Sequence, residues 1–179
     1  MVNREFFLLC SKAWSLQILA YFHAQNDPRI SPITHYFSAS RTSISGALGH
    51  LVKLKYLRKN SGHGHPLRPA YVLTAKGKAI AEWAAELDQM LAPVDWKVAR
   101  RSWALPILRE VTPARRYGEL RSKLNPVTDR ALSETLKVLG ENQWVNRHVE
   151  ADFSPPSVTY LPIGTGKLIA PILNESLNL

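Results

Sequence analysis

The chain carries nearly the same pattern twice, and this constrains its fold more than anything else in it. Trp14-Ser15-Leu16-Gln17-Ile18-Leu19 returns as Trp103-Ala104-Leu105-Pro106-Ile107-Leu108, an offset of 89. Ile44-Ser45-Gly46-Ala47-Leu48, with Leu51, Tyr56 and Leu57 after it, returns as Leu132-Ser133-Glu134-Thr135-Leu136, with Leu139, Trp144 and Val145, an offset of 88. Tyr71 and Gly77-Lys78 return as Tyr160 and Gly166-Lys167, again at 89. Three blocks in one order, drifting by a single residue, predict a duplicated unit of roughly 85–90 residues. The expected domains are 1–92 and 93–179, each near the size where a core becomes marginal.

Each copy reads as the same series of elements. In the first, a helical pattern runs from about Arg4 to Phe22, with Trp14, Ile18 and Phe22 on one face, and Asn26-Asp27-Pro28 breaks it. Ile30, Ile33 and Phe37 mark a short second helix. Ser40 is an N-cap for a third, with Ile44, Leu48, Leu51 and Leu54 spaced for one face. Tyr56-Leu57-Arg58 and Tyr71-Val72-Leu73 read as strands around a Gly- and Pro-bearing loop. Thr74 caps a last helix with Ile80, Trp83, Ala84, Leu87 and Leu91 on one face.

In the second copy, Trp103, Ile107 and Val111 mark the first helix and Tyr117, Leu120 and Leu124 the second. Thr128 caps a third helix bearing Leu132, Leu136 and Leu139. Strands at Trp144-Val145 and Val158–Leu161 flank Ser154-Pro155-Pro156, and Leu168, Ile169, Ile172 and Leu173 mark a closing helix. The predicted fold class is therefore mainly α with small β-hairpins (α+β), arranged as two tandem winged helix-turn-helix domains.

Charge narrows the partner. The chain has a net charge of +9 and a pI near 9.9, which favours a polyanion, nucleic acid first and a membrane surface second. Residues 1–92 hold 11 Lys+Arg against 5 Asp+Glu, and residues 93–179 hold 12 against 9. The first copy is thus the better equipped. Cys10 is the only cysteine, so no internal disulfide forms and a reducing cytoplasm is the expected compartment. Phe6–Phe22 is too interrupted by Ser11, Lys12, Ser15 and Gln17 to read as a membrane span.

The second copy resembles a known family. Its carriers are Trp103 with Ile107-Leu108-Arg109-Glu110, then Ala114-Arg115-Arg116-Tyr117-Gly118-Glu119-Leu120, then Val127–Leu136, and last Pro155-Pro156-Ser157-Val158-Thr159-Tyr160. Over residues 97–177 this resembles the HxlR-type winged-helix transcription regulators, relatives of the MarR type. The first copy resembles them through Cys10–Leu19, Arg41–Leu57 and Tyr71–Gly77. The resemblance implies a bacterial regulator that binds double-stranded DNA, usually with one winged helix per chain and dimeric through its terminal helices; the expected location is the cytoplasm, associated with the nucleoid. This chain departs from the pattern by carrying two units. It also has Lys55 and Gln143 where a glycine follows the recognition helix, and Ser157 where the wing has an arginine.

In such a fold the third helix of each unit enters the major groove, with the wing beside it. The candidate DNA contacts of the first copy are Arg41, Thr42, Ser43, Ser45, Gly46 and His50 on that helix, with Lys59 and Arg68 on the wing. Arg41 suits either a bidentate guanine contact or a phosphate. Those of the second copy are Arg115 and Arg116, placed on the second helix, and Arg130, Ser133 and Lys137 on the third. Asp129, Glu150 and Asp152 make that copy the more acidic at its contact surface. A homodimer would pair through Ile80, Trp83, Leu87 and Leu91, or through Leu168 and Ile172.

Other chemistries are poorly supported. His63-Gly64-His65 is at most half a metal site, and a solvated wing tip is the plainer reading. Gly164-Thr165-Gly166-Lys167 imitates the end of a phosphate loop but lacks the upstream glycine and the following Ser or Thr. No enzyme, cofactor or metal is expected. The alternatives to a regulator are a tandem winged-helix scaffold for protein partners and a replication or partition factor. The Arg41–Ser45 polar run and the charge of the first copy speak against the scaffold.

Overall fold

A computed structural model describes residues 4–60, 70–150 and 157–175. The chain runs α1 (Arg4–Cys10), α2 (Ser15–His23), α3 (Ile30–Tyr36), α4 (Arg41–Lys53), β1 (Leu57–Asn60), β2 (Ala70–Leu73) and α5 (Ala75–Met90). There follow α6 (Trp96–Ala99), α7 (Ala104–Glu110), β3 (Arg115–Arg116), α8 (Tyr117–Lys123) and α9 (Asp129–Glu141). The last elements are β4 (Val145–Glu150), β5 (Ser157–Pro162) and α10 (Gly164–Asn174). Two compact units result, Lys12–Gln89 on one hand and Met90–Leu179 together with Met1–Ser11 on the other. The first eleven residues thus group with the later unit, where the sequence had placed them in the earlier one.

The expected single helix from Arg4 to Phe22 is two helices. Ser11 to Trp14 forms turns, with Ser11 N–H donating to the Leu8 carbonyl and Ser15 N–H to that of Lys12. Trp14 sits in the left-handed region at φ 74°, a conformation that side chains disfavour and that ends helical propagation. Helix α1 then packs on α7, with Phe7 stacked on Trp103 at 4.1 Å between ring centroids. Cys10 is buried there, and burial pushes its thiol well above the ordinary range while the Arg109 guanidinium pulls weakly the other way. Native protein at pH 8 is therefore expected to leave Cys10 unalkylated by iodoacetamide until urea unfolds it. Labelling of native protein at the rate of a free thiol would contradict that burial.

In the 12–89 unit, α2 and α3 pack on α4, and β1 pairs antiparallel with β2 in the register Leu57↔Leu73 to Asn60↔Ala70. Ser40 caps α4, its Oγ accepting from Ser43 N–H at 3.1 Å. Gly46 and Gly49 weaken α4 by about 1 kcal/mol each. Burial of Ile44, Leu48 and Leu51, at about 1.5–3 kcal/mol apiece, outweighs that loss.

In the 90–179 unit, β3, β5 and β4 form one antiparallel sheet in that order. Arg115 and Arg116 belong to β3 and pair with Tyr160 and Thr159; they are not on the second helix, as the sequence suggested. Arg116 precedes α8, and its N–H donates to Glu119 Oε2 at 2.8 Å, half of a capping box. Thr128 caps α9 by accepting from Ala131 N–H at 3.1 Å.

Helices α4 and α9 end alike. Lys55 N–H donates to the Val52 carbonyl and Tyr56 N–H to that of Leu51; Gln143 N–H donates to Gly140 and Trp144 N–H to Leu139. Each is a Schellman motif, which needs a left-handed residue at its turn. Lys55 has φ 63° and Gln143 φ 58°, so both pay the penalty that a glycine avoids. Lys55→Gly and Gln143→Gly are each expected to stabilise by about 0.5–1 kcal/mol, read as a higher urea midpoint at unchanged slope. A lower midpoint would show that these side chains make compensating contacts.

The closing helices meet the sheets through glycine. A Cβ on Gly77 of α5 would lie 2.0 Å from the Tyr56 carbonyl oxygen, and one on Gly166 of α10 would lie 2.1 Å from that of Trp144. Gly166 is thus inside α10 at a point of close approach. The faces expected to dimerise are largely occupied: Ile80, Trp83, Leu87, Leu91 and Ile172 are buried, and Leu168 is the exposed member of that set. An amphipathic stripe on a closing helix first serves its own core, and sequence does not separate that use from dimerisation.

Candidate nucleic-acid interface

Helix α4 turns its polar side outward. Arg41, Thr42, Ser43, Gly46 and Gly49 are exposed, Ser45 and His50 are half-buried, and the opposite side holds Ile44, Ala47, Leu48 and Leu51. No acidic residue occurs from Arg41 to Asn60. At the N-terminus, the Ser40 hydroxyl donates to Ser43 Oγ at 2.9 Å, which orients that pair at the helix start. Lys59 lies on β1, exposed and opposite Tyr71. Arg68 and the neighbouring His63 and His65 lie outside the described residues.

One cation here was missed from sequence. A Cβ built on Gly46 would come within 3.3 Å of Lys12 Cε and 3.4 Å of its Nζ. The exposed Lys12 side chain therefore lies along the outer side of α4, in space that Gly46 leaves open. Its position follows from the turn before Trp14, which interrupts the helical pattern and has no local signature. The missing side chain at Gly46 thus admits a neighbouring cation on the outer side of α4.

Helix α9 presents a different surface. Asp129, Arg130, Ser133, Glu134, Lys137 and Glu141 are exposed, and the cations already face carboxylates. Arg130 Nε donates to Glu134 Oε1 at 2.7 Å, Lys137 Nζ lies 3.8 Å from Glu141 Oε1, and Arg121 Nε donates to Asp129 Oδ1 at 3.0 Å. Exposed pairs of this kind contribute only about 0–1 kcal/mol each to stability, yet a phosphate would have to compete with them. The Tyr117 hydroxyl lies 3.1 Å from the Asp129 carbonyl oxygen and 3.0 Å from Ser133 Oγ, joining α8 to the start of α9.

The arginines before α8 divide. Arg115 is half-buried and donates through Nε to the Glu110 carbonyl at 2.7 Å, which ties β3 to the end of α7. Arg116 is exposed. Asp152 and Ser154-Pro155-Pro156 lie outside the described residues.

Among the described residues no group of three His, Cys, Asp or Glu is placed to hold a metal ion, and no helix is long and apolar enough to cross a membrane. No curated protein matches the chain. Residues 98–178, which run from within α6 to beyond the end of α10, match the model of the HxlR-like helix-turn-helix family.

Proposed function

We propose that this chain is a sequence-specific double-stranded DNA-binding transcription regulator, acting in the cytoplasm at the nucleoid through two winged helix-turn-helix units of unequal character. The family match over 98–178 supports the helix-turn-helix reading for the later unit. Equivalent architecture supports it for the earlier one. Both third helices end in Schellman motifs at Lys55 and Gln143. Both closing helices approach through a glycine, Gly77 or Gly166. These pairs are separated by 88 and 89 residues, the offsets of the sequence repeat itself.

The observation that carries the DNA reading is the outward side of α4, where Arg41, the hydroxyls of Thr42 and Ser43, and the adjacent Lys12 meet no carboxylate of that helix. Backbone amides at a helix start, an exposed guanidinium and small hydroxyls suit a phosphate and the base edges beside it. The self-paired face of α9 is less suited, so the earlier unit is the principal reader.

The test is footprinting with intact protein on genomic fragments, followed by affinity measurement against salt. A protected site is expected. With about five neutralised phosphates, doubling the salt weakens binding about twentyfold. Uniform weak binding to every duplex, or affinity indifferent to salt, would favour the protein scaffold instead.

A further inference from the structure

We propose that the groove between α9 and the β4–β5 hairpin is a binding site for a planar aromatic carboxylate of about two fused rings, held between Tyr117 and Tyr160 with its anionic group on Arg147. The cavity measures about 390 Å³, within the range of small-ligand sites, and leaves room for a fused bicyclic body and a few waters. Its walls are built by the sheet register. Arg147 stands directly opposite Tyr160 across β4 and β5, so both side chains leave the same sheet face, and Val145 follows two residues away on that face. Helix α9 packs on β4 and closes the other side with Leu136 and Lys137.

Two features keep the groove open and ordered. Gly140 borders it without a side chain, and a Cβ there would still stand 3.7 Å from the Val145 carbonyl oxygen. The Tyr117 hydroxyl is engaged with Asp129 and Ser133, which fixes its ring as a wall.

Charge selects the ligand class. Arg147 is exposed and forms no ion pair among the described residues, while Lys137 is 3.8 Å from Glu141. Glu141 also lines the groove and is offset by Lys137, so its net positive charge is the uncommitted Arg147 guanidinium, whose fork matches a carboxylate beside the Tyr117, Tyr160, Leu136 and Val145 walls that reward a flat apolar body. Bare phosphate would use the cations and leave those walls wet.

The test is an NMR titration of the full chain with 2-naphthoate and with its uncharged isostere 2-naphthamide, needing no nucleic acid. Saturable shifts at Gly140, Val145 and Tyr160 are expected, with a dissociation constant on the order of 0.1–1 mM. Naphthamide should bind at least fivefold more weakly. Arg147→Gln should abolish that preference, and Gly140→Gln, which fills the groove at an exposed helical position, should weaken both compounds at least fivefold. Absence of saturation, equal binding of acid and amide to the native protein, or shifts confined to other residues would overturn the proposal. So would a duplex that shifts these amides when 2-naphthoate does not, since the groove would then belong to the nucleic-acid path.

Discussion

Gly166→Ala and Gly77→Ala are each expected to lower stability by about 3 kcal/mol or more, beyond the usual upper range for an added methyl group. The obstacle is backbone. A Cβ at Gly166 would lie 2.1 Å from the Trp144 carbonyl oxygen and 2.9 Å from Leu108 Cδ1, and one at Gly77 would lie 2.0 Å from the Tyr56 carbonyl oxygen. Neither carbonyl is free to retreat. The Trp144 carbonyl accepts from Ile163 N–H at 2.9 Å, and the Tyr56 carbonyl from Thr74 N–H at 3.0 Å. Moving either helix outward would strip contacts from the fully buried rings of Trp144 or Tyr56.

The contrasting substitution is Gly49→Ala. Nothing lies within 4 Å of a Cβ at Gly49, which is exposed within α4, so alanine there should add about 0.5–1 kcal/mol through helix propensity. Urea unfolding followed by circular dichroism would read all three variants. Losses below about 1 kcal/mol at Gly166 and Gly77 would mean that both closing helices can shift without penalty, and the close approach would lose its structural meaning.

How far the fold was legible follows from how local each determinant is. Ser40 and Thr128 cap α4 and α9 because a hydroxyl three residues before an amide is a local geometry, readable from spacing. The apolar spacings of α3, α4, α8 and α9 were readable for the same reason. The break between α1 and α2 was not, because Ser11 to Trp14 holds neither glycine nor proline and Trp14 takes its left-handed conformation without a local signal. Strand β3 is two residues long and exists through its pairing with β5, a partner more than forty residues away. At the contact surface, Arg130–Glu134 and Lys137–Glu141 could be read as i, i+4 pairs. Arg121–Asp129 and the placement of Lys12 on Gly46 required tertiary structure.

These local differences set the expected asymmetry in DNA binding. Arg41 is the first residue of α4 after its cap Ser40, and Arg130 is the second residue of α9 after its cap Thr128; they stand 89 residues apart, each in the first turn of its helix. At the position four residues beyond Arg41 the chain has Ser45; four beyond Arg130 it has Glu134. Arg130 is consequently held by Glu134 at 2.7 Å, whereas Arg41 forms no ion pair among the described residues. Arg41→Ala is therefore expected to weaken binding to a footprinted site about tenfold or more, the loss of one good charged contact. Arg130→Ala should change it less than about threefold, since a guanidinium already engaged by Glu134 makes no strong contact with the duplex, and the carboxylate it frees is exposed and screened by salt. Both side chains are exposed, so circular dichroism and melting should be unchanged and the loss can be assigned to contact. Equal losses from the two substitutions would mean that both third helices read DNA on equal terms, and that the duplex competes successfully with Glu134. A larger loss from Arg130→Ala would make the later unit, where the family match lies, the reader, and would leave the basic side of α4 to another partner.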